Sequence, residues 1–433
     1  MQPTSTDLII NCRWLIPIIP ENQIMERQAI AIKGSRIVEI LPIPEAAKKY
    51  SAKHIQHLEH HVVMPGLINS NAYAATRILR GHSVDIASSP IEQLLSDSDF
   101  VSASTELAIA EMIKSGTTCY SDQQNANNKL VESVRLTQIR SRLNFALEEK
   151  PSHFGSDASD YLHRGLKLRD YCSSYPLVEI ACNLSNINQL TNKTLDRLAA
   201  YANELELPLN IQCNINSREI EQSIEQSDCT IIERLFNAGL LLSESKLTNV
   251  NRLSENDLAL IEKSNCHLVI SPQANLMYPN NMQTINRIIN TENNVSLGTS
   301  SNAGNESYNL WPELKAATQA MTLNYPEKSQ ACIAHQALRL ATINGAKTLG
   351  LDQEIGSLEP QKYADLIAIE INSLSDQPLY NLATQLVSSI GHHVTHSWVS
   401  GQKLLENSTL CSLDEHNLIQ SAQDWGKKVL DIN

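Results

Sequence analysis

Glycine is scarce: the 433 residues include only 15, against a usual share of about 7%. A barrel enzyme spends glycine on the loops around its active site, so the shortage points to altered loops. No Lys/Arg-rich block offsets 34 basic against 47 acidic residues, a net charge of −13, so the electrostatic footprint of a nucleic-acid-binding protein is missing. Apolar runs of membrane-spanning length are missing as well. The start MQPTSTDLIINCRWLIPIIP has neither the basic beginning nor the unbroken apolar core of a secretory signal. The expectation is a cytoplasmic protein with neither nucleic acid nor membrane as partner. The nine cysteines are odd in number and never spaced as CxxC, which favours reduced, mostly buried thiols over disulfides or a zinc cluster. There is no internal repeat and no low-complexity linker.

What is present is the composition of an ordinary globular chain, 42% hydrophobic and 19% charged. Residues 7–43 read as short strands, with Lys33-Gly34-Ser35-Arg36 as a hairpin turn. From Val62 onward strand-like runs alternate with amphipathic helices. The runs are Val62–Asn69, Thr117–Ser121, Arg142–Glu148, Leu177–Leu184, Leu209–Ile215, Lys246–Arg252, His267–Ser271 and Val295–Ser300. Eight such strands with helices between them predict a parallel (β/α)8 barrel, whose chemistry sits at the strands' C-terminal ends. Thr105–Lys114 reads as one of the helices, with Ser104 as N-cap and Gly116 as stop. After the barrel, strand-like text returns, and a last helix is expected over 413–430. The expected organisation is a β-sandwich part over 1–61, the barrel over 62–354, and a second β-sandwich part with a C-terminal helix over 355–433, in an α/β fold. Two histidine groups, His54, His57, His60 and His61 and then His392, His393 and His396, fall in the β segments and read as strand-face residues rather than metal ligands.

VVMPGLIN, STELAIAEMIKSGTTC, LGTS, ATINGAKTLGL, IGSLEPQKYADLIAIEINSLSDQPLYN and THSWVSGQKLL together resemble the amidohydrolase superfamily, in its methylthioadenosine/S-adenosylhomocysteine deaminase and chlorohydrolase branch. The resemblance covers nearly the whole chain. It implies the (β/α)8 barrel with a composite β-sandwich, commonly in dimers or larger assemblies. It also implies zinc or iron held by four histidines and an aspartate, with a glutamate shuttling the proton as water displaces a ring substituent.

The ligand positions depart from that pattern. PGLINxHxH reads PGLINSNAY, placing Asn71 and Tyr73 at the first histidine pair. IHIHLxET reads LNIQCNIN, placing Gln212 at a metal histidine and Ile215 at the proton-shuttling glutamate. AHC reads TNV and GTD reads GTS, giving Asn249 and Ser300, while Asn183 stands where a substrate-contacting histidine would be. Neutral amides are weak ligands for zinc or iron. A metal-free pocket that kept the imidazoles and carboxylate would strand them unpaired, whereas these side chains can both donate and accept.

The expectation is therefore a pseudoenzyme: no zinc or iron cofactor, no catalytic residue, and a pocket lined by Asn71, Tyr73, Asn183, Gln212, Asn249 and Ser300. Such a chain would bind a small polar or nucleoside-like ligand, or serve as a regulatory or scaffold subunit. The alternative is a divergent hydrolase of C–N or C–Cl bonds on a purine- or triazine-like ring. It would recruit His82, Asp122, His267 or Glu306, or use Cys213 as a nucleophile.

Overall fold

A computed structural model describes residues 3–81, 89–152, 154–213, 217–250, 252–275, 281–300, 307–391 and 393–431. The chain divides into two compact units. One comprises Met1–Asn69, Ala110–Cys119 and Asn309–Glu415; the other comprises Ser70–Ile109, Tyr120–Tyr308 and His416–Asn433.

The strands run β1 (Thr4–Leu15), β2 (Met25–Lys33), β3 (Arg36–Pro42), β4 (Tyr50–Pro65), β5 (Leu67–Ala72), β6 (Thr117–Asn125), β7 (Arg140–Ala146) and β8 (Val178–Leu184). They continue with β9 (Leu209–Gln212), β10 (Ser245–Thr248), β11 (His267–Ile270), β12 (Val295–Leu297), β13 (Leu366–Glu370), β14 (Val394–Val399), β15 (Gln402–Glu406) and β16 (Thr409–Leu410). One eight-stranded sheet has the order β16-β15-β14-β13-β4-β1-β2-β3. It joins the two ends of the sequence, because β4 pairs antiparallel with β13, Val63 opposite Ala368. Its apolar face buries Ile10, Leu15, Ile30, Ile37, Leu366 and Trp398. The turn between β2 and β3 falls where the sequence places it, with Lys33 opposite Arg36 and Gly34 at φ 58°, a region glycine enters without steric penalty.

The second sheet has the order β12-β11-β10-β9-β8-β7-β6-β5, and its successive pairs from β7 to β12 are parallel. A bridge between Ala72 and Ser300 links its two ends, giving the (β/α)8 barrel. The strand interiors are apolar or hydrogen-bonded, and helices follow them under ordinary caps. Asn127, Asp157, Thr191 and Ser254 each accept a backbone N–H at the start of the next helix.

Two local expectations are corrected. The run Val62–Asn69 is not one strand, since residues 62–65 finish β4 and β5 begins at Leu67 in the other sheet. The chain changes sheets at Gly66, where a β-carbon would lie 1.9 Å from Thr118 Oγ1, so only glycine fits so close an approach. The helix expected from Thr105 starts at Ser98. Ser104 is therefore not its N-cap; its hydroxyl donates to Ala74 O at 3.2 Å and accepts from Ile78 N at 3.1 Å.

Candidate active site

The C-terminal ends of the barrel strands carry an unusual density of buried polar side chains. At the end of β5, Asn71 is 1% exposed. Its carbonyl accepts from Ser300 N at 2.9 Å, and its β-carbon lies against Gly298. The next turn brings Tyr73, whose carbonyl accepts from the Tyr308 hydroxyl, and whose own hydroxyl accepts from Asn249 Nδ2 at 3.4 Å. Burial pushes the Tyr73 phenol up to about 12, so it stays protonated at neutral pH. Asn249 and Ser300 both have left-handed backbones, φ 58° and 59°, a region that non-glycine residues enter at a cost and that clusters at functional sites.

Asn183 and Gln212 belong to a second group, in which Gln123 is the hub. Its carbonyl accepts from Asn183 Nδ2 at 3.2 Å. Its side-chain oxygen accepts from Gln212 Nε2 at 3.2 Å and from Asn210 Nδ2. Asn210 Nδ2 also reaches Asn183 Oδ1 at 3.1 Å. The structure thus pairs Asn71 with Ser300 and Tyr73 with Asn249, and gathers Asn183 and Gln212 around Gln123. Ile215 lies outside the described residues, as do His82 and Glu306.

Two charged residues are buried here: Asp122, which the sequence offers as a recruited ligand, and Lys246, which sequence reasoning passed over. Asp122, next to the end of β6, has its Oδ1 held by three backbone N–H groups, those of Gln123 at 2.8 Å, Ala74 at 3.2 Å and Gln124 at 3.3 Å. Burial nevertheless outweighs them, together with nearby Lys246, and raises the carboxyl to about 6. Lys246, on β10, is 1% exposed. Its Nζ donates to Ser70 O at 2.7 Å and to Ser121 Oγ at 2.6 Å. The available signal was a lysine in the middle of a short strand; a polar residue at the end of a strand is too common to stand out.

Other expectations change with the geometry. His267 opens β11, at the end opposite the barrel mouth, and its Nδ1 faces Asn294 Nδ2 at 3.1 Å. Cys213 is buried and its thiol is pushed well up, chiefly by that burial, leaving no thiolate to act as a nucleophile. Among the described residues no group of three His, Cys, Asp or Glu side chains gathers as a metal ion requires. Amides and hydroxyls at the mouth are poor donors for zinc or iron. The described residues alone therefore do not fit such an ion. They do offer hydrogen bonds: Asp122 Oδ2, Gln123 Nε2, Asn144 Oδ1 and Asn210 Oδ1 are buried with no partner among the described residues. No helix among the described residues is long and apolar enough to cross a membrane.

An eight-stranded parallel barrel with its polar groups at the strands' C-terminal ends is the frame of a barrel enzyme. Residues 62–403 match the amidohydrolase family, and the chain belongs to that family. The 5-methylthioadenosine/S-adenosylhomocysteine deaminase of Teredinibacter turnerae is 32% identical over 435 residues, covering 98% of each chain. Among solved structures, a zinc-bound adenosine deaminase from Xanthomonas campestris superposes with a TM-score of 0.93 at 25% identity, covering 99% of this chain and 100% of that one. The zinc complex of atrazine chlorohydrolase TrzN from Arthrobacter aurescens gives 0.84 at 19%, covering 97% and 100%; at that identity the likeness is one of fold.

These relatives overturn two expectations. The pseudoenzyme reading gives way, because the chain is collinear from end to end with proteins named as deaminases. The expectation of a chain without a metal cofactor is corrected too, since the solved neighbours hold zinc. Both expectations rested on a handful of inherited positions. Such positions report whether the family's ligands are kept in place, and ligands can also be drawn from other residues around a barrel mouth.

Proposed function

We propose that this chain is a hydrolase of the amidohydrolase type that acts on an exocyclic C–N bond of a purine-like ring in a nucleoside-like substrate. The observation that carries this reading is the 32% identity to the Teredinibacter deaminase over 98% of both chains. A second relative, named as a 5'-deoxyadenosine deaminase, is 25% identical and covers 90% of this chain. The C–Cl alternative is less well supported, because the triazine hydrolases share the fold at only 19% identity.

In the reaction, water adds to the ring carbon bearing the amino group, the C–N bond breaks, ammonia leaves with the transferred proton, and a ring carbonyl remains. Asn71, Tyr73, Asn183, Gln212, Asn249 and Ser300 are the polar lining proposed for the ring and its substituents. Side chains of this kind select a substrate by pairing its ring nitrogens and hydroxyls, because a buried partner left unpaired costs about 1–3 kcal/mol.

The test is ammonia release from adenosine, 5'-methylthioadenosine, S-adenosylhomocysteine and 5'-deoxyadenosine by the full-length protein supplied with zinc. Release from at least one, with the matching ultraviolet change of the ring, is the expected outcome. Ammonia from none of them, in protein shown to be folded, would overturn the reading.

A further inference from the structure

The helix Ala158–Cys172 carries Arg164, Lys167, Leu168 and Tyr171 at spacings of three and four residues, which sets them side by side on one face. All four line a cavity of about 810 Å³. Lys129, in the first turn of the helix Asn128–Thr137, and Phe154 line it as well. Phe154 is itself packed on Tyr161, with ring centroids 5.5 Å apart. Three cations and two aromatic rings therefore surround one hollow, and among the described residues no acidic side chain is part of its walls.

In a chain of net charge −13, ion pairing explains only part of this gathering. Lys129 is paired with Asp99. Arg164 is paired through Nε alone, which donates to Asp160 Oδ1 at 3.0 Å; its two terminal nitrogens and Lys167 Nζ have no partner among the described residues. Glu132, three residues along from Lys129, is already taken by the Tyr171 and Tyr175 hydroxyls at 2.6 and 2.9 Å and by Arg135. A solvated helix face does not explain it either. Lysines of that kind point away from the protein, whereas Leu168, between Lys167 and Tyr171 on this face, is buried. Tyr171 spends its hydroxyl on Glu132 and keeps its ring 38% exposed, so the ring is what it offers the cavity.

We propose that this cavity is a binding site for a small aromatic phosphate. Arg164 and Lys167 pair with the phosphate through charge-assisted hydrogen bonds, and Phe154 and Tyr171 cover the planar ring. A hollow of this size holds one such molecule. Asn71, Tyr73, Asn183, Gln212, Asn249 and Ser300 are not among its walls, and the assignment does not depend on the deaminase reading.

The experiment is calorimetric titration of the full-length protein with phenyl phosphate, and separately with inorganic phosphate and with phenol. Phenyl phosphate carries both features and leaves purine chemistry out of the test. One saturable site is expected, tighter than for either fragment. Lys167→Glu and Arg164→Glu, at exposed positions, should each weaken it by about fivefold or more, the order of an exposed ion pair lost. Lys347→Glu makes the same change of net charge at a lysine that does not line the cavity, and should leave the affinity within about twofold. Phe154→Ala should weaken phenyl phosphate and spare inorganic phosphate. Absence of saturable phenyl phosphate binding, or equal losses in Lys167→Glu, Arg164→Glu and Lys347→Glu, would overturn the proposal. Inorganic phosphate binding as tightly as phenyl phosphate would overturn the assignment of a ring-bearing ligand.

Discussion

A β-carbon placed on Gly298 would lie 2.4 Å from the β-carbon of Asn71 and 2.7 Å from its backbone nitrogen. The end of β12 and the end of β5 touch there with no room for a methyl group, Asn71 one residue before Ala72 and Gly298 two before Ser300, the residues that form the bridge. Gly298→Ala should therefore force the two strand ends apart and lower stability by about 1–3 kcal/mol. Urea unfolding checks this, and an unchanged midpoint would show that the seam between these strands is looser than described.

Asn210 supplies one amide nitrogen to both Gln123 Oε1 and Asn183 Oδ1. Asn210→Leu removes the donor without opening a cavity, leaving Asn183 Oδ1 buried and unpaired, while Gln123 Oε1 keeps Gln212. The expected loss is about 1–3 kcal/mol. A neutral effect would mean that the remaining amides reorganise around the vacancy.

His396 is buried against His61 and lies parallel to Trp398, with ring centroids 5.6 Å apart. Burial, then the neighbouring His61 and Lys403, hold its imidazole down at about 4, with Glu406 opposing them. An unfolded histidine titrates near 6.5, so between those values the unfolded chain binds the extra proton. Stability from this group is present above about pH 6.5 and is lost as pH falls toward 4. His61 and His335 are lowered by burial in the same way, whereas Asp122, raised by burial, acts in the opposite sense below about 6. Denaturation midpoints at pH 7 and pH 5 should differ less in His396→Gln than in the wild type. Equal differences would remove His396 from the pH dependence.

Tyr73 presents its hydroxyl to Asn249 at 3.4 Å. Tyr73→Phe keeps the ring and loses one hydrogen bond of about 1 kcal/mol. A fall in kcat/KM of roughly five- to tenfold, with little change in unfolding midpoint, is expected. Because the phenol titrates at about 12, the alkaline limb of the pH profile should stay where it is. An alkaline limb that vanished in the variant would assign that limb to Tyr73.

The barrel was legible because its strands are apolar runs separated by capped helices, and this pattern survives without any knowledge of contacts. Its boundaries were less so. β6 continues through Asp122 to Asn125, where polar residues look like the start of a loop but keep their strand pairing. Val62–Asn69 looked like one strand because β4 passes to β5 through Gly66 without a polar break. Lys246 was opaque for a different reason: its acceptors Ser70 and Ser121 lie 176 and 125 residues away, and a lysine in a strand reads as solvated unless the fold is known. The positions of Asn71, Tyr73, Asn183, Gln212, Asn249 and Ser300 followed from the resemblance. Their hydrogen-bond partners did not, because Gln123 and Asn210, which join Asn183 to Gln212, carry no signal of their own.

The most direct measurement is ammonia production from the four purine nucleosides by zinc-supplied, full-length protein, compared with Asp122→Asn under the same conditions. The deaminase assignment predicts release from at least one nucleoside by the wild type and a marked loss in the variant. No release from any of them by folded wild-type protein would contradict it.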